Sequence, residues 1–173
     1  MSQVSGYATL RGVEKAFRLL SEVVTAGIAE GRPYVQIEDW SGLQGASLDG
    51  RKYYIDYTKK RDRLLGLIFY GVSPLFKMSI KLGKRLNILK FDVKIVKDYS
   101  EAIKLALKML SAGKTQVDDS LVNLTSQPSV VFAEEGPSHE IVANDDWYLQ
   151  LDGFSARFEI IDGHIFHADT RGF

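Results

Sequence analysis

Seven residues stand where they could bind or react: Asp39, Ser41, Ser47, Tyr70, Ser73, Lys77 and Lys81. They gather at the ends of two apolar runs, 34–40 and 64–70, and at the starts of the helices expected to follow. Backbone N–H groups at a helix start favour an anion. This set would therefore suit a phosphate, a carboxylate or the acidic side chain of a partner. Ser47 is also a candidate phosphosite, although a Ser at a helix start commonly serves simply as its cap. No Gly-x-Gly-x-x-Gly or P-loop pattern is present, and no Gly-x-Ser-x-Gly elbow supports a nucleophile, so no catalytic residue is assigned. His164 and His167 lie three apart along an expected strand and point to opposite faces. With no Cys, a zinc site would need carboxylates that cannot be placed, so neither metal nor cofactor is expected. The acidic pairs Asp118-Asp119, Glu134-Glu135 and Asp145-Asp146 fall in expected loops, where solvation explains them.

The elements that must position these residues are mostly strands followed by helices. The run 64–70 has no polar alternation and reads as a strand buried on both faces. Ser73 then stands as an N-cap and Pro74 at the first helical position. Leu75, Met78, Leu82 and Leu86 follow at helical spacing as the expected buried stripe, with Lys77, Lys81, Lys84 and Arg85 opposite. Before that unit come a strand at 7–10, a helix through Val13, Phe17, Leu20 and Val24, and a strand at 34–40. A Gly/Ser-rich turn at 41–47 leads to a helix capped by Ser47. After it come an edge strand at 91–96 and a helix opened by the capping box Asp98-Tyr-Ser-Glu101 and closed by Gly113. Ala102, Ile103, Ala106, Leu107 and Leu110 are its expected buried stripe. This order makes a mostly parallel sheet covered by helices.

Beyond Gly113 the texture changes. Residues 115–129 are loop-like, and short apolar runs follow at 130–132, 140–142 and 147–151. Asp152-Gly153 and Asp162-Gly163 are turn signals that define an antiparallel β-meander over 146–169. The chain thus divides into an α/β domain at 1–113 and a loop and β-meander at 114–173, which either opens a second related unit or completes the sheet.

The composition, 45% hydrophobic and 25% charged with a net charge of zero, is that of a globular protein. Residues 50–108 hold fifteen Lys/Arg against five Asp/Glu, whereas residues 115–173 hold two against eleven. Such a split marks two faces that attract one another or a charged contact with a partner. The basic stretch lacks the interleaved aromatics of a nucleic-acid surface, so no nucleic acid is expected. No signal peptide and no membrane span is legible, which implies a cytoplasmic protein.

A strand, then Asp39-Trp-Ser-Gly, a small-residue turn and a helix resemble the STAS fold of bacterial anti-sigma-factor antagonists. IEDWSGLQGAS, RKYYIDY and LLGLIFYGVSPLFKMSIKLGKRLNILKFDVKIVKDYSEAIKLALKML together resemble a STAS-like module at the N-terminus of bacterial hybrid sensor histidine kinases, where it precedes PAS domains and the kinase core. The resemblance covers roughly residues 6–111. STAS regulators are switched at a Ser near the start of this helix; counted from Ser41-Gly42, that position falls near Asp49, two residues past Ser47. The tail DDWYLQLDGFSARFEIIDGHIFHADTRGF resembles the opening of a related unit, and residues 7–13 and 167–173 share Ala and an Arg-Gly pair. The resemblance implies a non-catalytic signal-transduction module, part of a longer kinase. It would contact a protein partner or other domains of that kinase, and self-associate through the meander. The alternative is a receptor domain that takes a small anionic ligand or lipid headgroup at the strand ends; an unrecognised hydrolase ranks below both.

Overall fold

The computed structural model describes residues 5–85, 91–115 and 139–169. Its elements are β1 (Ser5–Ala8), α1 (Leu10–Gly27), β2 (Tyr34–Asp39), β3 (Leu43–Ala46), α2 (Leu48–Thr58), β4 (Leu64–Tyr70), α3 (Pro74–Arg85), β5 (Asp92–Ile95), α4 (Tyr99–Thr115), β6 (Ile141–Leu151), β7 (Phe154–Ile161) and β8 (Ile165–Asp169). The fold is mixed α/β. One sheet runs β3-β1-β7-β8-β2-β4-β5, with β6 also on β7. The pairs β1–β3, β8–β2, β2–β4 and β4–β5 are parallel, whereas β6–β7, β7–β8 and β1–β7 are antiparallel.

β7 joins two arms of this sheet. β6 pairs along one of its edges, while the other is shared between β8, opposite Arg157–Ile161, and β1, opposite Phe154 and Ser155. The junction is close: Gly6 has φ +93°, and a Cβ there would sit 1.9 Å from the carbonyl oxygen of Gly153. Only glycine fits that conformation and approach. The C-terminal strands therefore belong to the same sheet as the rest, with β8 inserted beside β2.

Each face of the sheet has its own core. α1, α2 and α3 cover one, over Tyr34, Leu67, Phe69, Phe158, Phe166 and Ala168. α4 covers the other, where Ala102, Ile103, Ala106 and Leu110 meet Val35, Ile37, Ile68, Ile161 and Ile165. The faces alternate along β2 because successive strand side chains point oppositely. Half of the capping box forms as expected, Glu101 N–H donating to Asp98 Oδ1 (3.0 Å), whereas the Glu101 carboxylate reaches one residue past the cap and accepts from Lys97 N–H (2.8 Å).

Several expectations need correction. The turn at 41–47 contains a strand, β3, whose parallel pairing comes from β1 rather than from any pattern of its own. Thr9, expected in the first strand, instead caps α1, its Oγ1 accepting from Gly12 N–H at 3.3 Å. Gly113 does not close α4, which runs on to Thr115. Leu107 is exposed, and the runs at 140–142 and 147–151 belong to one strand, β6, which also takes in the Asp145-Asp146 pair expected in a loop. The largest correction concerns α3. Its buried side is Phe76, backed by Ile80, while Leu75, Met78 and Leu82 face outward. α3 carries two apolar stripes, and the aromatic one wins the interior because Phe76 stacks edge-on against Trp40, ring centroids 5.3 Å apart. Leu86 and the expected strand at 130–132 lie outside the described residues.

Candidate functional site

A cavity of about 410 Å³ lies between the sheet and the helices of the first face. Ala8, Phe69, Phe154, Phe158 and Ala168 line it from the strands, Val13, Ala16, Phe17 and Leu20 from α1, and Phe76, Ile80 and Gly83 from α3. This size falls in the range of small-molecule sites, and the wall is predominantly apolar, as such sites are.

Its polar lining comes from Gln36 and Glu38 of β2, Arg51 and Tyr54 of α2, Ser79 and Lys84 of α3 and Asp92 of β5, and the buried part of it is on β2. Tyr34, Gln36 and Glu38 alternate onto this face, and Trp40 follows just past the strand. Glu38 and Gln36 are nearly fully buried in a strand flanked on both sides by others. A buried carboxylate is costly unless donors surround it. Here Trp40 Nε1–H donates to Glu38 Oε2 (2.8 Å), Tyr54 O–H donates to Oε1 (2.7 Å), and Gln36 Nε2–H donates to Oε1 as well. Gln36 is oriented by Arg61, whose Nη1–H donates to its Oε1 while the guanidinium lies over the Tyr34 ring, 5.2 Å from its centroid. Burial pushes the Glu38 carboxyl up from its usual range, against the pull of these donors and the Arg61 charge. Burial, then the Glu38 carboxylate, push the Tyr54 phenol well above its ordinary value. A carboxylate has about four acceptor positions. Three donors engage this carboxylate, which lines the cavity and can accept a further hydrogen bond.

No side chain on this wall pairs a nucleophile with a base. The Ser79 hydroxyl is spent on the Leu75 carbonyl oxygen (3.2 Å). The wall can hold and orient a guest, chiefly by shape.

A second polar cluster lies on the other face. His167 Nδ1 is 2.5 Å from Glu159 Oε1, and its Nε2 is 2.9 Å from the Tyr70 hydroxyl. With the proton on Nδ1, the imidazole donates to the carboxylate and accepts from the phenol. Burial pushes the Glu159 carboxyl up, but the hydrogen bond from His167 and nearby positive charge outweigh it and leave the group below its ordinary value. The Tyr99 ring packs on His167, centroids 5.1 Å apart; burial, then the Glu159 and Asp162 charges, push its phenol up to about 12. The order carboxylate–imidazole–hydroxyl is that of a proton relay, but all three groups are buried among the residues under α4.

The seven residues singled out from sequence fall into separate settings. Asp39 is buried, its Oδ1 accepting from Ser41 N–H (2.8 Å) in a turn that Gly71, φ +65°, closes from β4. Ser47 caps α2, accepting from Gly50 N–H (3.2 Å), while its hydroxyl, with that N–H, holds the Asp49 carboxyl below its usual value. Tyr70 belongs to the His167 cluster. The Ser73 carbonyl oxygen accepts from Lys77 N–H (2.9 Å) at the start of α3, and Lys77 and Lys81 are exposed on that helix. None of the seven lines the cavity. The residues that do were legible only through the alternation of YVQIEDW, which sets Gln and Glu on one buried face. No protein-family model, curated protein or solved structure matches the chain.

Proposed function

We propose that this chain is a ligand-sensing signal-transduction module without catalytic activity of its own, and that its ligand is a small, mostly apolar molecule with one hydroxyl or amine donor. The observation that carries the reading is the cavity itself, with Glu38, a buried carboxylate held by three donors, in its wall. Central-strand core positions occupied by Gln and Glu break the local rule for a stable sheet, and such breaks concentrate at functional sites. Arg51 and Lys84 line the same cavity as Glu38 and Asp92, so the preference for a donor-bearing guest over the anionic ligand that the strand ends alone suggested rests on Glu38, the nearly fully buried carboxylate of the wall, which accepts hydrogen bonds. The resemblance of residues 6–111 to the STAS-like input module of sensor histidine kinases supports the signalling part, with another domain of such a kinase, or a separate protein, as the receiver. α3 is the natural reporter: it walls the cavity yet has Phe76 as its one fully buried residue.

The test is a thermal-shift screen of the full chain against apolar alcohols and amines, with fatty acids of the same size as the contrast. Alcohols or amines should raise the melting temperature, and Ala16→Leu, which occupies the cavity, should abolish the shift. A screen in which only carboxylates stabilise the chain, or in which Ala16→Leu responds like the parent, overturns the proposal.

A further inference from the structure

The outer face of α3 carries an inference that does not depend on the cavity. Leu75, Met78 and Leu82 recur at i, i+3 and i+7 and are 63%, 66% and 57% exposed. They form one continuous apolar stripe on the solvent side of the helix. Lys77, Lys81 and Arg85, all exposed, recur at i, i+4 and i+8 and form a basic row beside it. Near the start of α3, Arg51 of α2 lies over the Phe76 ring, 5.6 Å from its centroid, and one turn before Arg51 comes Leu48, 83% exposed. A water-facing apolar stripe of this length is a liability unless something covers it.

We infer that α3 lies on an anionic lipid surface, with Leu75, Met78 and Leu82 dipping into the acyl boundary and Lys77, Lys81 and Arg85 engaging the headgroups. Charge complementarity selects this occupant. A second copy of the chain would bring an identical basic row against this one, whereas an anionic bilayer offers negative charge and an apolar layer together. Flexible Leu and Met side chains with flanking lysines are the composition of an interfacial helix. The inward side of α3 remains on the protein, since Phe76 stays packed against Trp40. The contact is peripheral: no helix among the described residues is long and apolar enough to cross a membrane.

The experiment is co-sedimentation of the full chain with vesicles of phosphatidylcholine alone or mixed equally with phosphatidylglycerol. Binding should require the anionic lipid and weaken with salt. Each basic residue near such a surface contributes roughly fivefold, so Lys77→Glu with Lys81→Glu should lower partitioning by at least roughly 25-fold. Met78→Glu should lower it by at least tenfold with an unchanged circular dichroism spectrum, because the side chain is exposed. Ala16→Leu should bind vesicles like the parent, which separates failure here from failure of the cavity reading. Equal binding to neutral vesicles, or no binding, overturns the inference. So does vesicle indifference combined with a concentration-dependent sedimentation coefficient that Met78→Glu abolishes, which would assign the stripe to a second copy.

Discussion

Two Ala→Leu substitutions on opposite faces of the sheet should change stability in opposite directions. Ala16 lines the cavity from α1, and Leu adds three carbons there. Each buried apolar carbon contributes about 0.8 kcal/mol, so full seating of the larger side chain stabilises the fold by about 2 kcal/mol. Helix propensity barely opposes this, since Leu ranks next to Ala. For a chain of 173 residues, that gain raises Tm by roughly 4–8 °C. Ala106, in α4, is wholly buried against the other face and does not line the cavity. The same three carbons there overpack a filled core, and Ala106→Leu should cost about 1–3 kcal/mol. Differential scanning calorimetry of both variants reads the contrast directly. If Ala16→Leu melts below the parent and tracks Ala106→Leu, the space beneath α1 is already filled in solution and the ligand-site reasoning fails with it.

Glu38 and Glu159 should give stability–pH slopes of opposite sign. Because the folded-state pKa of Glu38 is raised, its contribution is fully present below the ordinary Glu value of about 4.3 and is lost as pH rises through the folded value. Glu159 is depressed, so its contribution is present above about 4.3 and is lost as pH falls through the folded value. Urea melts across the acid-to-neutral range should show Glu38→Gln losing the decline on the rising-pH side and Glu159→Gln losing the acid limb; identical profiles for both variants would refute the assignment. Gly27→Ala should destabilise by about 1–3 kcal/mol, as expected of overpacking, because its Cβ would meet Ile160 Cγ1 at 2.5 Å. Gly83→Ala, with nothing within 4 Å of its Cβ, should instead gain about 0.5–1 kcal/mol of helix stability. Denaturant midpoints distinguish these, and a stabilised Gly27→Ala would show that α1 does not sit on β7 as described. Ser47→Ala should cost about 1 kcal/mol through loss of the α2 cap, read by the same melts; a neutral result would mean that Ser47 is free of that duty.

The apolar runs at 34–40 and 64–70, the caps at Ser47 and Asp98, and the edge position of β5 were legible because each is set by neighbours in sequence. β3 was not. Leu43-Gln-Gly-Ala46 has no strand pattern, and becomes a strand because β1 offers an unpaired parallel edge. The orientation of α3 was ambiguous for a different reason. Leu75, Met78 and Leu82 make as good a helical stripe as Phe76 and Ile80, and tertiary packing on Trp40 decides between them. The cross-strand pair Glu159 and His167 follows from the register fixed by the Asp162-Gly163 turn. Their partner Tyr70 stands 97 residues from His167, and nothing local announces it. The cavity had one trace in sequence, a Gln and a Glu at alternate positions within an otherwise apolar central strand, masked because the apolar partners on the opposite face made the whole run read as core.

The two polar clusters lie on opposite faces of the same sheet, and only one of them lines a cavity. β2 and β4 contribute to both faces, so strand geometry is common to them and only side-chain accounting separates them. Under α4, the Glu159 carboxylate, the His167 imidazole and the Tyr70 hydroxyl meet one another in a buried setting closed over by apolar side chains. Such a network rigidifies a core and fixes its packing. Under α1 and α3, the Glu38 carboxylate is held by three donors and lines the cavity. A buried carboxylate is costly unless donors surround it, so under the proposed reading a donor on a guest would add to the three that already hold Glu38. On that reading, the shape of the apolar wall sets the size of the guest and the Glu38 carboxylate adds a preference for one that carries a donor.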